Sequence, residues 1–269
     1  MKTPLLSLLS VVGFLAPAAL VAQTDTTQIQ IGTARVIIVD EDTTSNYLTY
    51  EPEDLKAEKT HWAGLDVGVN VLLSADGQTD LGDESNWLDL QYERSLSWRI
   101  NVFEEKIRLA GDYAGLVTGL GLTYNSYGFK NETTIISNTQ AFQDTTFGVI
   151  DTVLQFSKTK LRATYLNVPL LLEFNTSSDP KKSFHIAFGA IGGWKIGSIT
   201  KQLYELDGST YKVRRKQDFN LTPLMLDLTA RVGYRNVTLF ATYGLTPLFR
   251  DGKGPEVYPV TLGLTAAPW

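Results

Sequence analysis

The chain has 269 residues, a formal net charge of −5, a sequence pI of about 5.1 and no cysteine. The missing thiols exclude disulfides, zinc–thiolate sites, thiol catalysis and a lipid-modified cysteine. The acidic balance, with no basic stripe interleaved with aromatics, argues against nucleic acid as a partner.

Lys2 and the apolar run Leu5 to Leu20, which contains Pro17, read as an export signal over residues 1–22 with cleavage near Ala22. The run is short for a spanning helix, and no other stretch approaches about 18 consecutive apolar residues. Residues 23–60 form a polar N-terminal segment, expected in the periplasm. It holds one apolar patch, Ile29 to Val39, expected as a short strand or docking segment, and then an acidic, Thr-rich linker from Asp40 to Lys59.

From Trp62 onward the period becomes 2. The spacing predicts strands over Trp62 to Leu73, Tyr92 to Phe103, Ala114 to Phe129, Lys160 to Phe174, Phe184 to Ile199, Asp218 to Tyr234, Val237 to Pro247 and Val257 to Ala266. In the first, Leu65, Val67, Val69 and Val71 alternate with Gly64, Asp66, Gly68 and Asn70. In the fourth, Leu166, Val168, Leu170, Leu172 and Phe174 alternate with Asn167, Pro169 and Glu173. Side chains on a strand point to opposite faces with this period, and apolar stripes of about 9–11 residues match a tilted strand crossing a bilayer. The expected fold for residues 61–269 is therefore an all-β, eight-stranded antiparallel transmembrane barrel. The competing reading is a soluble barrel or sandwich with the apolar face turned inward. Pro169 and Pro223 are expected to mark bulges or weak pairing, because proline donates nothing to a ladder.

The connections alternate in length. Ser74 to Gln91, Lys130 to Thr159, Thr200 to Gln217 and Leu248 to Glu256 are the longer set. Glu104 to Tyr113, Asn175 to Ser183 and Arg235–Asn236 are shorter. Outer-membrane barrels have long external loops and short periplasmic turns. If Lys130 to Thr159 folds as a hairpin, a ten-strand count follows, with the wall extended above the membrane. The basic run Lys212 to Lys216 falls in an expected loop, either solvated or touching anionic lipopolysaccharide. Aromatics near strand ends, namely Trp62, Tyr124, Phe174, Tyr234 and Tyr258, are expected at the headgroup level. The final Trp269 resembles the aromatic last residue of barrel-assembly signals.

The inward face carries Asp66, Arg99, Glu173, Lys195, Asp227 and Arg231, together with Asn70 and Asn101. Buried charges persist when paired, and eight strands enclose a space that side chains just fill. A plugged, salt-bridged lumen is expected, with Arg99 or Arg231 paired to Asp66, Glu173 or Asp227. Little points to catalysis. Ser183 and His185 lie two apart on one strand face, and Glu173 supplies an acid, so a serine hydrolase triad is the sharpest enzymatic candidate. Asp76, Asp80, Asp83 and Glu84 crowd the first long loop without the order of a calcium-binding loop. No cofactor is expected.

Four stretches carry a resemblance: Trp62-Ala-Gly-Leu-Asp-Val-Gly-Val-Asn, Gly119-Leu-Gly-Leu-Thr-Tyr, Tyr165-Leu-Asn-Val-Pro-Leu-Leu-Leu-Glu-Phe and Phe188-Gly-Ala-Ile-Gly-Gly-Trp. They resemble the outer-membrane β-barrel family of the Bacteroidota that includes PorT-like proteins, from Trp62 to the C-terminus. The resemblance implies architecture more than activity; PorT-like members are associated with protein secretion. The expected role is a non-enzymatic outer-membrane anchor or adaptor, in contact with lipid or lipopolysaccharide and with an envelope protein partner. The alternatives are a lipid-modifying enzyme and a small channel, transport or secretion-associated component.

Overall fold

The computed structural model describes residues 26–31, 34–39, 61–137, 144–150, 156–177, 182–206 and 209–266. The expected export signal, the acidic linker and Trp269 lie outside them. The chain falls into two compact units, Met1–Glu58 and Lys59–Trp269. In the first, β1 (Thr26–Ile31) and β2 (Ala34–Val39) form an antiparallel hairpin in which Thr26 faces Val39.

The second unit is the barrel. Its wall consists of β3 (Gly64–Ser74), β4 (Leu96–Ala110), β5 (Ala114–Gly128), β8 (Phe156–Asn175), β9 (Phe184–Leu206), β11 (Leu224–Tyr234), β12 (Val237–Gly244) and β13 (Val257–Ala266). Each pairs antiparallel with its neighbour in that order, and β13 returns to β3, so eight strands close a ring. Closure leaves no unpaired edge, a condition for backbone in hydrocarbon. Short connections join β4 to β5, β8 to β9 and β11 to β12 at one end; the longer connections gather at the other, the external end.

Between β5 and β8, β6 (Thr133–Ser137) and β7 (Thr146–Ile150) form a separate two-stranded sheet rather than ninth and tenth wall strands. What extends the wall is β9. Its outer half runs past the ring and pairs with both β8 and β10 (Ser209–Lys216). The expected loop Thr200 to Gln217 is thus mostly strand, because Thr, Tyr and Val favour the pleated backbone through this stretch. The expected connection from Glu104 is likewise strand as far as Ala110.

The faces sort by polarity in the inverse of a soluble protein. Trp194 is 66% exposed and Leu170 55%, whereas Asp66, Asn70 and Asn101 are wholly buried. A soluble barrel would hide Leu166, Val168 and Leu170 and wet Asp66; here hydrocarbon is the solvent for the outer face. Aromatics ring both ends of that apolar band: Trp98, Tyr124 and Trp194 with the stacked pair Tyr243–Tyr258 externally, and Phe184 against Tyr234 at the turn end. Trp62 does not belong to the ring; it is fully buried in the lumen.

Pro169 lies opposite a gap in the β5–β8 ladder. Thr118 and Leu170 are in register, and so are Gly121 and Asn167, but the residues between are unpaired, and the Thr118 hydroxyl donates to the Pro169 carbonyl at 3.0 Å. Pro223 precedes β11, and its carbonyl accepts from the Lys195 backbone N–H at 2.8 Å.

Candidate functional site: a lumen filled at three levels

The middle level centres on Asp66 and Arg231, brought into register by β3 and β11. The guanidinium binds both carboxylate oxygens, Nη1 to Oδ2 at 3.0 Å and Nη2 to Oδ1 at 3.1 Å. Arg231 Nη2 also donates to Thr265 Oγ1 at 2.6 Å, Thr265 donates to Asp66 Oδ1 at 2.7 Å, and Asn101 Nδ2 reaches Asp66 Oδ2 at 3.3 Å. The guanidinium lies 5.2 Å from the Trp62 ring and 5.4 Å from Phe240. A bidentate pair with its remaining lone pairs satisfied is the arrangement in which a buried ion pair holds. Arg99 sits over the same Phe240 at 5.4 Å and shares with Asp227 a cavity of about 20 Å³, room for about one water.

At the turn end, Glu173 accepts from Lys106 Nζ at 2.9 Å, from Asn175 Nδ2 at 3.0 Å and from the His61 backbone at 3.2 Å. His61 stacks on His185 with ring centroids 3.5 Å apart, and His185 Nε2 meets Thr238 Oγ1 at 2.8 Å. Glu104 receives the N–H groups of Trp62 and Ala63 at 3.2 and 2.7 Å. The chain entering β3 is thereby tied down inside the ring. Gly119 makes room for it: a Cβ there would meet Trp62 at 3.1 Å and the Phe103 carbonyl at 2.2 Å.

The external mouth is closed by Trp87, Leu88, Tyr127, Phe129, Phe219 and Phe249, an apolar cluster under the loops. Trp87 lies 6.3 Å from Phe129 and 6.2 Å from Phe249. The β6–β7 sheet covers it, and Thr133 Oγ1 and Thr146 Oγ1 donate to the carbonyls of Trp87 and Phe219. Asp144 pins this cap by accepting from Asn220 at 3.2 Å and pairing with Lys253 at 3.3 Å; these bonds, that of Asn220 first, hold its carboxyl below the usual range. Gly148 abuts Trp87, where a Cβ would fall 2.3 Å from the indole. Replacing Gly148 with Ala is expected to loosen the cap by about 1–3 kcal/mol. Protease should then cut the external loops of the folded barrel faster; an unchanged digestion pattern would show that the Trp87 cluster does not order them. Beside the cap runs a groove of about 610 Å³ lined in part by Leu72, Leu81, Leu90, Tyr92, Asp80 and Lys130.

Of the six charges expected to converge, Asp66 and Arg231 pair directly, and Arg99 and Asp227 lie beside them. Glu173 is in the lumen but pairs with Lys106 and His61, not with an arginine. Lys195 stands apart at the external mouth, bonded to Asp218 and, at 2.7 Å, to the Leu221 carbonyl. Lys106 and Glu104 escaped the sequence reading because a bulge between Asn101 and Phe103 reverses the alternation of β4. Its signal was present: Val102 and Phe103 are consecutive apolar residues and both face out. Among the described residues no hydrogen bond links Ser183 to His185 or His185 to Glu173. Ser183 Oγ donates to the Phe184 carbonyl at 3.3 Å, and the other two are engaged elsewhere. The acidic first loop makes no metal cluster among the described residues; Asp80 instead accepts from the Gly82 N–H at 3.0 Å.

No curated protein matches the chain. Among solved structures it is similar to the attachment invasion locus protein Ail of Yersinia pestis. The complex of Ail with the heparin analogue sucrose octasulfate gives 9% identity over 76% of this chain and 94% of Ail, with a TM-score of 0.29. A second Ail structure gives 10% identity over 76% and 98%, with a TM-score of 0.28. Residues 63–250 match the outer membrane protein beta-barrel domain, and the chain belongs to that family.

Proposed function

We propose that the protein is a non-enzymatic outer-membrane anchor or adaptor. It is exported by a signal cleaved near Ala22, keeps residues 23–60 in the periplasm, and presents a rigid external cap to an envelope protein partner. A PorT-like place among Bacteroidota barrels fits this reading. The observation that carries it is the filling of the lumen at three levels: the Glu173–Lys106 pair at the turn end, the Asp66–Arg231 pair in the middle and the apolar cluster around Trp87 at the external mouth. Side chains committed in this way favour a structural lumen over a conducting or catalytic one. The groove beside Tyr92 offers apolar and charged surface for a partner.

Planar-bilayer reconstitution is the direct test. The expected result is no conductance above the lipid baseline, and steady single-channel steps would replace this reading with a channel. Labelling of Ser183 by a serine-directed probe in outer membranes would replace it with a lipid hydrolase. Photocrosslinkers at Tyr92 and at Ile31 are expected to yield one reproducible envelope-protein adduct from at least one position; none from either would remove the adaptor half.

A further inference from the structure

Above the membrane-facing band, β8, β9 and β10 stand side by side, and their registers define a small grid on the outward face. One row is Lys160, Lys201 and Arg214, directly opposite one another. The row above is Lys158, Leu203 and Lys212; the row below is Arg162, Ile199 and Lys216. Seven of these nine positions are cationic. With strands about 4.8 Å apart and same-face residues about 6.7 Å apart, the charges fill a patch roughly 10 by 13 Å. None of the seven makes an ion pair with a carboxylate among the described residues.

Like charges directly opposite on a sheet oppose folding, and this wall concentrates them. Burial, followed by the Arg162, Lys158 and Lys201 charges, pushes the Lys160 ammonium down to about 8. The face is also constructed. β9 carries an extra residue where Thr164 pairs with Gly197 and Tyr165 with Lys195. Below that bulge the even residues Trp194 and Ile196 face outward; above it the odd residues do, and Lys201 joins the grid. Without the bulge Lys201 would point inward. On the opposite face at the tip, Phe156, Tyr204 and Tyr211 pack together and hold the three strands.

Position selects the occupant. On β8 the outward series runs Leu170, Val168 and Leu166 in the apolar band, then Thr164 beside Tyr124, then Arg162, Lys160 and Lys158. Arg162 lies 5.4 Å from the Tyr124 ring, which marks the external interface. The first row of cations is about 13 Å along the strand from Leu166, at headgroup level. We infer that the β8–β9–β10 wall binds the phosphate groups of glycolipid headgroups in the outer leaflet. Lys160, Lys201 and Arg214 form the central row of that site. The inference rests on the outer-membrane reading and is independent of any protein partner.

The test uses the full folded chain in detergent and diphosphoryl lipid A as probe, with bound lipid counted by native mass spectrometry. Wild type is expected to retain the lipid, and Lys160→Glu/Lys201→Glu/Arg214→Glu to bind at least about tenfold more weakly. Lipid A stripped of phosphate should lose as much against wild type. Heat-modifiable migration verifies folding of the variant, and Lys160→Gln/Lys201→Gln/Arg214→Gln, expected to lose a smaller fraction, stands in if the charge reversal does not fold. Equal binding by wild type and variant, equal binding of phosphate-free lipid, or full displacement by equimolar inorganic phosphate would overturn the inference. A sulfated polysaccharide that outcompetes lipid A at the same wall would overturn it too. Conductance and crosslinking report on the anchor reading separately, since neither depends on these three residues.

Discussion

Arg231→Leu is expected to destabilise the barrel by about 3–5 kcal/mol, because it strands the Asp66 carboxylate in a closed lumen. Asp66→Leu should be similar, leaving the guanidinium over Trp62 and Phe240 without its counter-charge. The double substitution should recover much of the loss, since two apolar side chains of suitable volume replace a desolvated pair. Arg231→Lys should not rescue: an ammonium cannot bind both carboxylate oxygens and Thr265 while stacking on two rings. Urea unfolding of barrels refolded into vesicles, followed by gel mobility without heating, measures all four. If the double variant loses the sum of the two singles, the pair is not coupled and the lumen is held by other contacts.

That ion pair joins residues 165 positions apart, yet both members were legible as inward-facing. Period-2 alternation assigns faces without knowing partners, and Asp66 and Arg231 each sit among outward leucines and valines. Partner choice was less legible, because it depends on strand register and on the order of strands around the ring. The eight wall segments were readable for the same reason: each carries a mostly apolar outward stripe. The external architecture was not. Nothing there selects one face by hydrophobicity, so the outer tip of β8 before Lys160, the end of β9 beyond Ile199 and all of β10 read as loop. Bulges hid the rest. One residue inserted in β4 brings Glu104 and Lys106 into the lumen, and one in β9 turns Lys201 outward, while a strict alternation carried past either point assigns the wrong face. Trp62 misled for another reason. An aromatic at a strand start fits a headgroup ring, but the Glu104 carboxylate, the Asn101 amide and the space over Gly119 draw it inside.

The apolar outer face itself has a decisive test in Leu170→Arg. Leu170 lies on the outward side of β8, midway between Tyr124-flanked Thr164 and the Phe174 end, with Val168 at 51% exposure beside it in the same stripe. At the bilayer midplane an arginine on the lipid face is expected to destabilise a barrel by about 2–4 kcal/mol. The same substitution at an exposed surface position in water changes stability by about 0.5 kcal/mol or less, so the two solvents predict different magnitudes at one residue. Lys158→Leu is the companion change: placed above the interface, it should leave membrane stability nearly unchanged while relieving charge repulsion in the wall. Refolding both variants into vesicles and comparing urea midpoints gives a depth profile along a single strand. A large loss at position 170 with none at 158 places the bilayer between the aromatic rings. Equal, small effects at both would mean that water, and not lipid, surrounds the stripe.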